Sequence, residues 1–212
     1  MPYGGNDWLA LTQEPTLEPE LPICDPHHHF WDRRLQSLPY QRYLLDELNA
    51  DIYSGHNVRS TVFLEARSMY RLNHIGALNR VGMYANREDE VRAIWQAGIA
   101  AVAACPNITL KLGGLGMPRM GFDWHTRAVP VGSEELAADM APWMQYCIEH
   151  FGPARCMFES NFPPDKVSFS YHVLYNAFKR LSRAYSPAER AAMFHDTAVK
   201  VYRIGVEPLR GG

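Results

Sequence analysis

Short runs of apolar residues alternate along this chain with longer stretches in which apolar residues recur every three or four positions. The short runs are typical of buried strands and comprise residues 21–24, 58–65, 108–112 and 156–158. The longer stretches, residues 86–105 and 133–151, are typical of helices that bury one face. Strands that alternate with amphipathic helices predict a parallel α/β sheet or barrel.

Local signals mark several element boundaries. Ser133 is predicted to cap the helix that follows it, and Ser186 with Glu189 three residues later is a strong start signal for a C-terminal helix. Residues 1–20 are polar and punctuated by proline, so we expect an extended lead-in along the surface.

Composition narrows the class of protein. The 212 residues are 47% hydrophobic and 21% charged, as expected for one globular domain over residues 1–212. A formal net charge of −2 offers no field that would attract nucleic acid, and no apolar run is long enough for a membrane span. The four cysteines form no Cys-x-x-Cys pair and are expected to be buried thiols. Without a recognisable secretory signal, a cytoplasmic location is expected.

Three histidines stand directly after the first apolar run, in the sequence Asp25-Pro26-His27-His28-His29. On a strand end, side chains alternate between faces, so His27 and His29 are expected to point one way and His28 the other. Two imidazoles on one face can bind a divalent metal together or clamp a polar substrate. The alternative is a histidine-rich surface loop with incidental metal affinity.

This histidine run, followed by Phe30-Trp31-Asp32, resembles the first-strand signature of the amidohydrolase-related (amidohydrolase 2) family, in the branch with 2-pyrone-4,6-dicarboxylate lactonase. Residues 156–163 resemble the last-strand motif of the same family. The resemblance implies a (β/α)8 TIM barrel that opens a lactone or related carboxylated ring by water attack. It also implies a divalent metal such as zinc, or no metal, as in the metal-independent lactonases.

The middle of the chain does not fit a complete barrel. Glu65 ends one predicted strand, and residues 72–74 resemble a later family strand that ends in His74, yet only six residues lie between Glu65 and Leu72. Parallel strands need a connection of about a dozen residues or more, and a complete barrel needs about 250 residues. We therefore expect an incomplete barrel of about five strands, with family units absent near residues 66–72. Alternatively, residues 68–81 form a helix and His74 has no role in a site.

The resemblance assigns residues to the chemistry. It places His27 and His29 at a metal and His74 among the catalytic groups. Asn161 stands where most of the family has a catalytic aspartate, and a neutral amide cannot act as a general base. Asp165 could take that role; otherwise it is a solvated loop residue paired with Lys166.

Three further residues are candidate substrate contacts. Glu65 ends a strand near the expected mouth, and His125 and Arg127 lie in the loop after the strand at residues 108–112, where barrel enzymes build their pockets. The alternative for Glu65 is an ordinary charge at a strand end. The alternative for His125 and Arg127 is an ordinary ordered loop.

Three functions remain open. The first is a hydrolase that acts on a small lactone and is impaired by Asn161. The second is a non-catalytic family member with a binding or structural role, and the third is a metal-dependent decarboxylase of aromatic acids. Missing units would leave a sheet edge and apolar helix faces uncovered, so self-association is also expected.

Overall fold

Strands and helices alternate through residues 5–32, 40, 42–64 and 88–205, the parts of the chain that the computed structural model describes. The strands are β1 (Ile23–His28), β2 (Trp31–Asp32), β3 (Arg42–Tyr43), β4 (Val58–Phe63), β5 (Leu110–Leu112) and β6 (Cys156–Phe158). The α-helices are α1 (Gly5–Leu9), α2 (Leu45–Ile52), α3 (Glu88–Ala103), α4 (Ser133–Phe151), α5 (Tyr171–Leu181), α6 (Pro187–Ala191) and α7 (Thr197–Tyr202). A π-helical turn, Ala192–Asp196, joins α6 to α7.

Four parallel strands form an arc in the order β4, β1, β6, β5. β1 pairs with β4, and β5 pairs with β6, each in parallel register. The segment directly after β6 completes the arc through a parallel bridge between His28 and Phe162. The backbone N–H of Asn161 donates to His27 O at 3.0 Å, and His29 N–H donates to Phe162 O at 2.8 Å.

The first strand of the chain thus lies against the last, as the closure of a (β/α)8 barrel requires. The predicted α/β class is confirmed, and within the described residues the sheet remains an arc rather than a closed barrel. Four of the five predicted strands are present here. The fifth, at residues 72–74, and the proposed junction near residues 66–72 lie outside the described residues.

Helices α3, α4 and α5 cover the arc with apolar side chains. The apolar face of α4 is fully buried, including Leu136, Met144 and Ile148. Trp95 of α3 meets Trp143 of α4 edge to face, with ring centroids 5.2 Å apart. The expectation of an uncovered apolar face is therefore wrong for α4, whereas on α3 Trp95 and Ile99 are buried and Ile94 is 65% exposed. Among the described residues, no helix is both long and apolar enough to cross a membrane.

Two local expectations at the N-terminal side need correction. Gly132, not Ser133, caps α4, and Ser133 is its first helical residue. The Ser133 hydroxyl instead donates to the Glu14 carboxylate. The lead-in is not wholly extended, since it begins with α1 and buries Leu9. At α6, the predicted capping box between Ser186 and Glu189 is confirmed.

One polar face of α5 holds the backbone of residues 14–18. The Asn176 side chain donates to Pro15 O and accepts from Leu17 N–H, both at 2.8 Å. Lys179, fully buried, donates to Leu17 O at 2.6 Å, to Glu18 O at 2.9 Å and to His56 Nδ1 at 2.9 Å. Burial lowers the pKa of Lys179 to about 8, so its ammonium group remains charged at neutral pH. All three of its N–H donors therefore have acceptors.

His56 must be neutral in this arrangement. Its Nε2 lies 3.0 Å from the carbonyl oxygen of His172, which can only accept, so Nε2 carries the proton and Nδ1 accepts from Lys179. Burial, more than the nearby charges of Lys179 and His172, lowers the pKa of His56 from 6.5 to about 3.

We expect this buried histidine to weaken the fold in mild acid. Between pH 6.5 and about 3 the unfolded chain binds a proton at His56 that the folded chain does not, so the free energy of unfolding falls as pH decreases. His56→Gln keeps a side-chain acceptor for Lys179 but cannot titrate, and its decline in stability from pH 7 to pH 5 should be shallower. Urea denaturation at both pH values measures this. The matched change at the exposed His150 should leave the slope as in the wild type.

The loop after β5 passes so close to the segment after β6 that it needs glycine. A Cβ at Gly113 would lie 2.4 Å from Cγ of Glu159 and 2.6 Å from its backbone oxygen. At Gly116 a Cβ would lie 2.8 Å from Cβ of Asp165. The two loops therefore enclose the side chains of Glu159 and Asp165, which are both buried.

Gly113→Ala should destabilise the protein by about 1–3 kcal/mol, because the added methyl group overlaps a backbone oxygen that cannot move alone. Gly98→Ala is the matched control. Gly98 lies inside α3 with no atom within 4 Å of an added Cβ, so alanine should stabilise that helix by about 0.5–1 kcal/mol. Chemical denaturation of both variants gives the two values, and equal effects would contradict the close approach at Gly113.

Self-association remains a prediction. Within the described residues β4 pairs with β1 alone, and Phe63 at its end is 51% exposed. Such an edge favours pairing with a second chain. Size-exclusion chromatography with light scattering should show a mass that rises with concentration, and a strict monomer with a sharp reversible melt would contradict this.

Candidate functional site

The carboxyl end of β1 brings two imidazole rings together. His27 and His29 are both buried, and their Nε2 atoms are 2.9 Å apart. His28 lies on the other face, where its Nε2 is 3.1 Å from the Thr61 hydroxyl and its ring contacts Phe30. Burial, with a smaller effect of His27, lowers the pKa of His28 to about 4. The strand-end alternation thus makes His27 and His29 converge.

The partner of Nδ1 in each of these two rings identifies the tautomer of that ring. Nδ1 of His29 lies 2.6 Å from the carbonyl oxygen of Leu64, an atom that only accepts. Nδ1 of His27 lies 2.6 Å from a carboxylate oxygen of Glu159. Both Nδ1 atoms therefore carry the proton, and in the neutral rings both Nε2 atoms present lone pairs to each other.

Two facing lone pairs at 2.9 Å repel unless a positive charge lies between them. A proton or a metal ion would supply that charge, and zinc binds histidine nitrogen at about 2.0–2.1 Å. The donor chemistry of His27 and His29 therefore fits a divalent metal. Within residues 5–64 and 88–205, apart from the undescribed positions, no group of three or more His, Cys, Asp or Glu side chains is arranged to hold one.

Buried charges surround this pair. Glu159 is fully buried directly after β6, and Nζ of Lys111 lies 3.7 Å from the same carboxylate oxygen that binds His27. Lys111 also donates to Pro26 O at 2.8 Å. A chain of contacts thus runs from β5 through the last strand to the histidines of β1.

Asp25 ties the first strand to the last. One of its carboxylate oxygens accepts from His27 N–H at 3.2 Å and from Ser160 N–H at 3.0 Å. The other accepts from the Tyr171 hydroxyl at 3.2 Å. Complete burial raises the pKa of Asp25. This residue has a structural part in holding the histidine strand in place.

Asn161 and Asp165 lie together beside this junction. The Asn161 side-chain N–H donates to one oxygen of Asp165 at 2.6 Å, and Gly116 N–H donates to the other at 2.9 Å. Asp165 is buried rather than solvated. Lys166 does not pair with it, since its ammonium group is 2.7 Å from both oxygens of Asp51. The alternative of a solvated Asp165–Lys166 pair is therefore wrong.

The other candidates are dispersed or not described. His125 belongs to a short 3₁₀ turn, Trp124–Thr126, in the loop after β5. Arg127 follows it and forms an ion pair with Glu135 of α4 at 2.7 Å, on the surface. Glu65 and His74 lie outside the described residues. The roles assigned to all of these residues stay predictions.

Sequence reasoning did not assign a role to Glu159 or Lys111. Lys111 did carry a signal, because it is a charge between Leu110 and Leu112 in a strand whose three residues are all buried. Glu159 carried a weaker one, as a carboxylate inside the last-strand motif.

Sequence comparison finds relatives over much of this chain. The Uncharacterized protein y4mH of Sinorhizobium fredii is 34% identical over 127 residues, 60% of the chain. An L-fucono-1,5-lactonase of Burkholderia multivorans is 31% identical over 122 residues, 56% of the chain. The matched part spans 38% of the length of each of these two relatives.

Solved structures show the same fold. An amidohydrolase from Burkholderia multivorans with bound HEPES is similar over 63% of this chain and 44% of its own, with a TM-score of 0.52 and 28% identity. A zinc-bound structure described as the same amidohydrolase is similar over 86% of this chain and 99% of its own, with a TM-score of 0.61 and 16% identity.

A family model described as Amidohydrolase matches residues 72–204. That region is more than half of the 212 residues and includes β5, β6 and the buried Glu159, Asn161 and Asp165. The chain belongs to the amidohydrolase family.

Proposed function

We propose that this chain carries a hydrolytic site for a lactone or a related carboxylated ring, in which His27 and His29 hold a divalent ion such as zinc. The observation that carries the proposal is the pair of facing Nε2 atoms 2.9 Å apart. Membership of the amidohydrolase family and the similarity to an L-fucono-1,5-lactonase support the reaction class and the small-molecule substrate.

A bound divalent ion polarises a carbonyl group and lowers the pKa of a coordinated water molecule. The residues of this chain would supply the rest. The Leu64 carbonyl group accepts from Nδ1 of His29, and Glu159 contacts Nδ1 of His27. Glu65, His74, His125 and Arg127 remain proposed contributors at the mouth, where the loops at the carboxyl ends of the strands meet.

Neither Asn161 nor Asp165 is well suited to accept a proton from the attacking water molecule. Asn161 has no basic atom, and the Asp165 carboxylate accepts hydrogen bonds from Asn161 and Gly116. Both oxygens of this carboxylate are therefore already engaged by donors of the protein. We therefore propose that turnover by this chain is low.

Exchanging the two polar groups tests the proposal. In the double variant Asn161→Asp with Asp165→Asn, an amide still donates to a carboxylate, but the carboxylate now stands on the last strand. General-base catalysis is worth about 10²–10⁴-fold, so we expect at least a tenfold gain in the hydrolysis of simple five- and six-membered lactones with zinc present. Asn161→Asp alone should gain less, because its carboxylate would face that of Asp165.

Asn161→Ala is the control for a merely structural effect and should show no gain. Robust turnover in the wild type that is lost in Asp165→Ala and unchanged in every Asn161 variant would place the base at Asp165. Absence of turnover in all variants, together with no zinc bound at His27 and His29, would contradict the proposed function.

A further inference from the structure

Glu159 and Lys111 take no part in the bond-breaking chemistry proposed above, although both are buried and Glu159 contacts His27 of the histidine pair. Glu159 is 0% exposed and Lys111 is 5% exposed. A buried carboxylate carries a large desolvation penalty unless it is paired and hydrogen-bonded. Here it has the Lys111 ammonium group at 3.7 Å and the His27 N–H at 2.6 Å.

The loop geometry makes room for this carboxylate. Gly113 stands where any larger residue would overlap Cγ and the backbone oxygen of Glu159. Glu159 N–H also donates to Leu112 O at 3.2 Å, which continues the β5–β6 pairing by one residue. The side chain is therefore held by its own backbone and directed at the first strand.

We propose that Glu159 is a positioning residue for His27: its carboxylate holds a proton on Nδ1 and fixes the ring so that Nε2 faces Nε2 of His29. Lys111 compensates the buried negative charge. This inference rests on the proposed metal-binding function of the pair.

The alternative tautomer shows why such a residue is needed. If the His27 proton moved to Nε2, that N–H would donate directly to Nε2 of His29, 2.9 Å away. The pair would then satisfy itself through one internal hydrogen bond, and a metal ion would have to break it. In the neutral ring the carboxylate on Nδ1 opposes this arrangement, so that both Nε2 lone pairs can serve an ion.

The two histidines differ in the groups that accept from their Nδ1 atoms. His29 donates to the neutral carbonyl group of Leu64, whereas His27 donates to a carboxylate. A charge-assisted hydrogen bond is stronger than a neutral one and makes the opposite ring nitrogen a better donor to a metal. Loss of Glu159 should therefore change the position of the ring proton in His27 and leave that of His29 unchanged.

Two measurements test the proposal. Nitrogen-15 NMR of the imidazole rings, with His27→Ala for assignment, reports which nitrogen of His27 carries the proton in the metal-free protein. Isothermal titration with zinc gives the affinity. We expect a proton on Nδ1 of His27 in the wild type and its transfer toward Nε2 in Glu159→Leu, with affinity about 10–100-fold lower.

Matched variants separate positioning from folding. Glu159→Gln keeps an oxygen that accepts the Nδ1 proton, so it should restore the tautomer and most of the affinity. The double variant Lys111→Met with Glu159→Leu leaves no unpaired buried charge, and it should fold but show the same tautomer shift as Glu159→Leu. Glu149→Gln, on the exposed surface of α4, should match the wild type.

The outcomes distinguish this inference from the proposed function. Zinc affinity that is lost in His27→Ala but unchanged in Glu159→Leu and in the double variant would overturn the role of Glu159 and leave the metal site standing. A wild type that binds no zinc would remove the metal site. In that case, a tautomer shift in Glu159→Leu would still support the positioning of His27, and no shift would overturn it.

Discussion

The contact between the first strand and the segment after the last one positions almost every group in the candidate site. Backbone hydrogen bonds from Asn161 to His27 and from His29 to Phe162 join the two segments, and the buried Asp25 carboxylate adds bonds across the same junction. Because the strands are parallel, their carboxyl ends meet at one edge. A shift of one residue along this contact would turn His27 and His29 together to the opposite face, away from Glu159, so register and site geometry are fixed by the same hydrogen bonds.

Several charged groups are buried in the described part of the chain, and each has specific partners. Glu159 lies between Lys111 and His27, Lys166 meets Asp51, and Lys179 donates to two backbone carbonyl groups and a neutral imidazole. Removing one partner from such a group leaves an uncompensated charge and is strongly destabilising.

The elements that follow from local periodicity could be predicted from the sequence, whereas contacts between residues far apart in the sequence could not. Alternation along β1 predicted the convergence of His27 and His29, and apolar spacing predicted α3 and α4. Glu159 contacts His27 across 132 positions of the sequence, and no local pattern predicts that contact. Ser133 has the chemistry of a helix cap, but the Glu14 carboxylate, 119 residues away, binds its hydroxyl instead. The neutral state of His56 likewise depends on α5, which the sequence shows only as a helix.

The hydrogen bonds that hold residues 14–18 against α5 have a consequence for the order in which parts of the protein can fold. Asn176 and Lys179 meet their backbone partners across about 160 positions, and β1 meets Ser160 across 135. During synthesis the amino-terminal segments leave the ribosome first, and these partners follow only after more than 130 further residues. Until then, β1 and its histidines have no last strand to lie against. Contacts of such high sequence separation slow folding and prolong the exposure of strand edges.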